Sequence, residues 1–364
     1  MANIVYMARS AWTGLLDTIR SKAGITGSMT VSQATDAVDS ITGGDDSFDR
    51  LVDRTISGTV NFYGSTVGQY AFTSCASMRS INLPNAQSIG YFAFAKCTNL
   101  SNISAPNLIT ISSNVFQSAK FTKVDFPNVE TIGSTAFSSA LSLSVVNIPN
   151  IISIESSAFY YCKKLSSIYM PNALSIGGSV FQSCTNLSYI YAPNVSYLGS
   201  YAFASCNTLE SVSFPNVSLI RDYTFSACYV LSIADIPNAE SIGQYAFYNC
   251  YSLSTVSFSK CARIMQSAFA YDMSLQTAYF YGPLSYLGSF AFASCYNLVS
   301  LYLTGSNFVS MAGPSIFHST PIGGYTASTG GVYGTVYVPE SLYAEYMSRP
   351  GWSSITSRIV SVTE

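Results

Sequence analysis

The chain has 364 residues, with 16 Lys and Arg against 18 Asp and Glu, so its formal net charge is −2. This balance excludes electrostatic docking to nucleic acid or to an anionic membrane as the basis of its function. Hydrophobic residues make up 48% of the chain and charged residues only 9%, which is too apolar for a disordered protein. Polar residues interrupt every apolar stretch before it reaches about 18 residues, so no membrane-spanning helix and no membrane insertion are predicted.

Residues 1–44 are predicted to form a small helical module that attaches the chain to something else. A first helix capped by Ser10 would carry four apolar residues on one face: Trp12, Leu15, Leu16 and Ile19. Thr30 opens a capping-box pattern at the start of a second short helix. Two such helices cannot build an independent core, so they are expected to pack against a partner protein or another copy of the chain.

Residues 45–62 are interpreted as a linker and N-terminal cap. They begin with the densest acidic run of the sequence: Asp45, Asp46 and Asp49. Carboxylates of this kind could bind calcium, but the twelve-residue spacing of a calcium loop is absent. A solvated linker is therefore favoured over a metal site.

A repeat of about 22 residues dominates residues 63–318. The consensus reads I-G-x-x-A-F-x-x-C-x-x-L-x-x-I-x-F-P-N, and its Phe recurs at intervals of 21 to 25 residues. The segment before each Pro-Asn pair alternates like a short strand, and Pro then ends that strand. A unit this small cannot bury its own apolar face and must stack on its neighbours. The repeat Phe residues are Phe72, Phe94, Phe116, Phe137, Phe159, Phe181, Phe203, Phe225, Phe247, Phe269, Phe292 and Phe317.

This pattern predicts an α/β-type repeat solenoid of eleven or twelve rungs. The A-F-x-x-C-x-x-L units resemble the BspA-like leucine-rich repeat family over residues 60–310. The resemblance implies a curved solenoid whose strands line a concave face, and binding rather than catalysis, because family members are associated with adhesion to host or matrix components. Residues 319–364 are expected to form a Gly/Ser/Thr-rich loop, Ser319 to Gly334, followed by a strand–helix–strand cap.

Nine cysteines raise the question of disulfides or a metal site. Eight of them follow the repeat Phe by three positions, a place that Ala119, Ala140 and Asp272 take in other copies. A ladder of disulfides would strain regular stacking, and no C-x-x-C pair is present for zinc. The favoured interpretation is small buried thiols that pack under the turn and stay reduced.

No catalytic motif is apparent in the sequence. His318 is the single histidine and has no second ligand or nucleophile near it in sequence. The glycine pairs, such as Gly323-Gly324, never complete a phosphate-binding loop. The sequence therefore predicts a protein that is not an enzyme and needs no cofactor.

Tyrosines on the predicted concave face are the candidate binding residues. Strand alternation places one cluster in the middle of the array and another near its end, with Asp235 in the same row. Tyr offers a large rigid surface at low entropic cost, which suits a protein or glycan ligand, although Tyr also tolerates exposed strands without any function. The two clusters are Tyr169, Tyr189 and Tyr191, and Tyr279 and Tyr302.

The function expected from these features is that of a phage tail or fibre protein located in the virion. The W-x-x-L-L-D-x-I-R-x-K-x-G segment at residues 12–24 resembles structural proteins of tailed phages of gut Firmicutes. Residues 1–44 would bind other tail proteins, and the solenoid would bind a host surface protein or glycan. Two alternatives stay open: a bacterial cell-surface adhesin of the BspA-like family, which the missing signal peptide disfavours, and a structural tail or baseplate decoration without a ligand.

Overall fold

The computed structural model describes residues 58–363. The predicted helical module, the acidic run and most of the linker lie outside the described residues. The chain divides into two compact units, residues 1–165 and 166–364. The domain boundaries expected from the sequence remain predictions.

The first unit stacks five coils, where a coil is one copy of the repeat with one longer strand and one two-residue strand. The strands of successive coils pair in parallel. Strands β1, β3 and β5 form one sheet, and β7 pairs with β9. The short strands pair in the order β2-β4-β6-β8-β10. The bounds are β1 Gly58–Asn61, β2 Thr66–Val67, β3 Met78–Asn82, β4 Ser88–Ile89, β5 Asn102–Ser104, β6 Thr110–Ile111, β7 Lys123–Asp125, β8 Thr131–Ile132, β9 Val145–Asn147 and β10 Ser153–Ile154.

The second unit has the same construction with more strands. The longer strands pair as β11-β13, as β15-β17, and as a five-stranded sheet β19-β21-β23-β25-β26. The short strands pair as β12-β14 and β16-β18-β20-β22-β24. The bounds are β11 Ser167–Tyr169, β12 Ser175–Ile176, β13 Tyr189–Tyr191, β14 Tyr197–Leu198, β15 Ser211–Ser213, β16 Leu219–Ile220, β17 Ile233–Asp235, β18 Ser241–Ile242, β19 Thr255–Phe258, β20 Arg263–Ile264, β21 Thr277–Phe280, β22 Tyr286–Leu287, β23 Ser300–Leu303, β24 Ser310–Met311, β25 Thr335–Pro339 and β26 Ile359–Val362.

The two units together contain about 14 coils of about 22 residues, more than the eleven or twelve expected. The difference lies at both ends: β1 pairs with β3 ahead of the first repeat Phe, and β25 and β26 add to the same parallel sheet as β23. The sequence period stops at Phe317, so counting the repeat Phe residues misses these strands.

The repeats contain turns where an α/β-type array would have helices. Tyr201 and Ser205, two residues before and after Phe203, have φ of 61° and 60°, and the same pattern recurs in the other coils. A helix requires φ near −63°, so this segment cannot continue as one. The N–H groups of Tyr201, Phe203 and Ser205 instead donate to carbonyls of the next coil at 2.7–3.0 Å. The turn segments, here called the turn ridge, therefore add a further ladder of hydrogen bonds between coils.

The repeat Phe side chains form the centre of the core in each unit. Phe225 and Phe247 stack with ring centroids 5.3 Å apart, and Phe247 and Phe269 at 5.2 Å, with interplanar angles of 18° and 2°. All three are fully buried. Offset stacking of this kind adds about 0.5–1.5 kcal/mol per pair beyond the burial of area.

The Asn of the Pro-Asn pair connects successive coils. Asn238 Nδ2 donates to the carbonyl of Pro215 at 2.6 Å, and Asn216 Nδ2 donates to that of Pro193 at 3.1 Å. Proline has a carbonyl but no N–H. In each Pro-Asn pair, the proline carbonyl therefore accepts a hydrogen bond from the next coil, and the asparagine side chain donates one to the preceding coil. The sequence indicated a turn at this place but not this side-chain ladder.

The C-terminal segment follows the order strand, helix, strand. The α-helix α1, Glu340–Ser348, and a 3-10 helix, Trp352–Arg358, connect β25 to β26. Trp352 Nε1 donates to the carbonyl of Val309 at 2.8 Å, which attaches the segment to the preceding coil. Its role as a cap remains a prediction. Within residues 58–363 no helix is long and apolar enough to cross a bilayer.

Candidate binding surface

The exposed face of the longer strands in the second unit has two aligned rows of side chains. Row 1 is defined by the first residue of each strand from β11 to β25, and row 2 by the third. The register places Ser167 opposite Tyr189 in row 1 and Tyr169 opposite Tyr191 in row 2, while Ile190 between them is buried. This long-strand face corresponds to the face that the sequence predicted to be concave. Row 1 contains Ser167, Tyr189, Ser211, Ile233, Thr255, Thr277, Ser300 and Thr335, and row 2 contains Tyr169, Tyr191, Ser213, Asp235, Ser257, Tyr279, Tyr302 and Tyr337.

The middle tyrosine cluster is a stacked pair with a neighbour. The rings of Tyr169 and Tyr191 lie parallel, 5.0 Å apart between centroids, with an interplanar angle of 8°. Tyr189 is in the other row, beside Ser167, and is 52% exposed. The structure therefore joins two of the three predicted tyrosines in one stack and places the third on the same face.

The second cluster is longer than the sequence indicated. Tyr302 stacks on Tyr279 at 4.6 Å and on Tyr337 at 4.3 Å, and Tyr281 lies 5.6 Å from Tyr279. The pKa of Tyr302 is raised, first by burial of the phenol and then by its neighbours Tyr337 and Tyr279. Sequence reasoning missed Tyr281 and Tyr337. The alternation Val-Tyr-Val in β25, which matches Leu-Tyr-Leu in β23, could have identified Tyr337.

Asp235 is the only charged residue in these two rows between β11 and β25. Its side chain is exposed, and its Oδ2 accepts a 2.8 Å hydrogen bond from the hydroxyl of Ser213 on the neighbouring strand. On the same strand Ile233 is 60% exposed. An exposed carboxylate beside an exposed aliphatic side chain offers both hydrogen bonding and apolar contact.

The turn ridge of the second unit has its own aromatic stack, which the sequence reasoning missed. Tyr201 stacks on Tyr223 at 4.5 Å, and Tyr223 on Tyr245 at 4.8 Å. The Tyr245 hydroxyl accepts a hydrogen bond from Nε2 of Gln266 at 3.1 Å. The available signal was a Tyr two residues before the repeat Phe in three successive copies.

All nine cysteines are buried thiols. Cys228 Sγ donates to the carbonyl of Phe203 at 3.2 Å, and Cys250 Sγ to that of Phe225 at 3.2 Å, so the thiols link successive coils. Burial raises the pKa of Cys162 and Cys228 to about 12. Protonated, inaccessible thiols of this kind are poor nucleophiles and poor metal ligands.

The remaining sequence candidates for chemistry are isolated. His318 is exposed, and its Nδ1 lies 3.1 Å from the hydroxyl of Ser319. In the described part of the chain, no group of three or more His, Cys, Asp or Glu is placed to hold a metal ion. The predicted attachment residues Trp12, Leu15, Leu16 and Ile19 lie outside the described residues.

Comparisons with known proteins agree with the repeat geometry. Solved structures with a similar fold include a leucine-rich repeat protein from Bacteroides ovatus, with 20% identity, a TM-score of 0.56, and coverage of 84% of this chain and 92% of that chain. The pneumococcal vaccine antigen PcpA has 14% identity and a TM-score of 0.50 over 85% of this chain and 89% of its own. A leucine-rich cell surface protein from Faecalibacterium prausnitzii has 21% identity and a TM-score of 0.43, over 76% and 81% of the two chains. Among curated proteins no sequence matches significantly.

The family assignment comes from the sequence repeats themselves. The model of the BspA-type leucine-rich repeat region, which describes six copies, matches residues 65–188, 109–232 and 196–322. Together these matches cover the stacked strands of both units from β2 up to the loop before β25. The chain belongs to the BspA-type leucine-rich repeat family.

Proposed function

We propose that this chain is a non-enzymatic surface protein that binds a partner through its long-strand face. The observation that carries the proposal is the pair of tyrosine stacks on one face of the parallel strands: Tyr169 with Tyr191, which are exposed, and Tyr279 with Tyr302, which are half-buried. Parallel strands fix the spacing of these rings before any ligand arrives. Preorganisation of this kind lowers the entropic cost of binding.

The composition of the face supports binding over a purely structural role. Tyr is enriched at the energetic centres of interfaces because it combines apolar area with a hydroxyl. Polar residues such as Ser and Thr would suffice to keep an exposed strand soluble, and two strands of this face, β15 and β19, have only these in both rows. The tyrosines are therefore concentrated beyond what strand exposure requires.

A bacterial cell surface is the proposed location. The family to which the chain belongs is associated with adhesion to host or matrix components, and this supports the adhesin interpretation. The location in a phage tail rests on the N-terminal sequence pattern around Trp12 alone. It stays a second candidate, which predicts that a chain lacking residues 1–44 would be absent from assembled particles.

The test is binding of the purified full chain to cultured epithelial cells and to immobilised matrix proteins. Replacing Tyr169, Tyr189 and Tyr191 together with Ser should lower binding about tenfold or more, because hot-spot residues carry most of an interface's energy. The matched control replaces Tyr201, Tyr223 and Tyr245 on the turn ridge with Ser. Unchanged binding by a folded long-strand-face variant, or an equal loss in the control, would overturn the assignment.

A further inference from the structure

Row 2 has a gap between its two tyrosine stacks. After Tyr191 come three coils with small side chains, Ser213, Asp235 and Ser257, before the row reaches Tyr279. The register sets Ser213 opposite Asp235 and Ser257 opposite Tyr279. Tyr279 lies four coils after Tyr191, so the strands that carry these two residues lie about 19 Å apart at about 4.8 Å per coil.

Aromatic rings limit this gap at both ends. At one end of the gap, the ring of Tyr169 stacks on that of Tyr191. The residue that follows Tyr191 in row 2 is the small Ser213. At the opposite end stand the nearly parallel rings of Tyr279 and Tyr281, 5.6 Å apart between centroids. A ligand in the gap would therefore meet aromatic rings at its two ends and small polar side chains below it.

Hydroxyls and one carboxylate form the floor of the gap. Ser213, Asp235 and Ser257 are all exposed, and the Ser213 hydroxyl donates to Asp235 Oδ2 at 2.8 Å. Asp235 Oδ1 makes no hydrogen bond within the described range of the chain. Beside the floor, row 1 contributes Ser211, Ile233 and Thr255.

This lining discriminates among ligand classes. A fully apolar ligand would bury the charged Asp235 carboxylate with Oδ1 left without a hydrogen-bond partner, which is costly. An anionic ligand would be repelled by the same carboxylate. A neutral sugar presents an apolar C–H face to an aromatic ring and several hydroxyls to serine and carboxylate oxygens, so each group of the gap would find a partner.

Resting on the proposed binding role of this face, we propose that the gap between Tyr191 and Tyr279 binds a neutral glycan chain. Its length suits a short oligosaccharide segment better than a single sugar. A cationic peptide is the principal competitor, since its positive charge would also pair with the Asp235 carboxylate.

The test uses affinity electrophoresis of the full chain in gels that contain yeast mannan, barley β-glucan or galactan, with heparin and polylysine as charged probes. We expect retardation by at least one neutral polysaccharide. Tyr191→Ala and Asp235→Ala should each weaken that binding about tenfold, whereas the matched ring removal Tyr223→Ala on the turn ridge should leave it unchanged. Thermal melting of each variant checks that the fold is intact.

Asp235→Asn separates the glycan from its competitor. The amide keeps two hydrogen-bonding atoms and loses the charge, so glycan binding should fall by only about threefold, whereas binding to polylysine through Asp235 would be lost. Binding to no neutral polysaccharide, binding to charged probes alone, or equal binding by all variants would overturn the proposal. If the triple Tyr169/Tyr189/Tyr191 variant still loses cell binding in those cases, the binding role of the face survives and only the glycan assignment fails.

Discussion

The backbone N–H of Cys250 donates a 2.8 Å hydrogen bond to Oδ1 of Asp272 on the next coil. Asp272 is completely buried, and its Oδ2 has no hydrogen-bond partner. It occupies the position that Cys takes in most copies of the repeat, where the thiol donates to a Phe carbonyl of the preceding coil. Burial raises the pKa of the Asp272 carboxyl well above its usual range.

The Asp272→Cys variant should be more stable than the natural chain at neutral pH. Because the folded pKa is raised, the folded chain retains a proton that the unfolded chain releases above about pH 3.9. The natural chain therefore has its full stability below that pH and loses about 1.4 kcal/mol per pH unit as the pH rises toward the folded pKa. Urea unfolding at several pH values measures the difference between the two chains, which should widen with pH.

Asp235→Asn is the control for this experiment, since it removes a carboxyl that is exposed rather than buried. Parallel stability curves for the natural chain and Asp272→Cys would contradict a protonated buried carboxyl.

Asn238→Ala should destabilise the second unit by about 1 kcal/mol, the usual net value of a hydrogen bond. The half-buried side chain of Asn238 donates to the carbonyl of Pro215 at 2.6 Å, and alanine leaves that carbonyl unpaired. Lys260→Ala is the matched control because Lys260 occupies the same place in the next coil and is exposed. Equal melting temperatures for the two variants would show that the asparagine ladder adds no stability.

Ala227→Gly should stabilise the chain by about 1 kcal/mol. Ala227 has φ of 58° on the turn ridge, a conformation that costs an L-residue energy and glycine almost none. Ala246→Gly should instead destabilise the chain. Ala246 lies one residue before Phe247 and is completely buried, so glycine there removes a packed methyl group and increases the conformational freedom of the unfolded chain. Denaturant midpoints that move the same way for both variants would contradict this account of the turns.

The strand positions were predictable from the sequence because they follow from simple alternation. Ile190 lies buried between the exposed Tyr189 and Tyr191, as the period of two requires. The repeat interval of 22 residues then brings Tyr169 and Tyr191 into register. Periodicity alone thus determined both rows of the long-strand face from β11 to β23.

The conformation of the turns and the continuation of the parallel sheet into β25 and β26 were not predictable in this way. The left-handed backbone at Tyr201 and Tyr223 has no glycine to signal it, so the sequence does not distinguish a turn from one turn of helix. The place of Tyr337 in the second tyrosine stack was not predicted, because the Phe period ends at Phe317, before β25 begins. Stacking between coils, rather than local preference, sets both features.

The nine cysteines should titrate as nine thiols after denaturation under non-reducing conditions, and dithiothreitol should not lower the melting temperature. Each thiol is buried, and Cys206 Sγ, for example, donates to the carbonyl of Phe181 at 3.1 Å, so the coils are joined by hydrogen bonds at this position. Ala119 and Ala140 fill the same position in other coils, which a connected disulfide ladder could not accommodate without unpaired partners. In the native chain the thiols should react slowly with maleimide, because burial raises the pKa of groups such as Cys228 to about 12 and blocks access to the reagent. Rapid native labelling, or a denatured count far below nine, would refute this packing role for the cysteines.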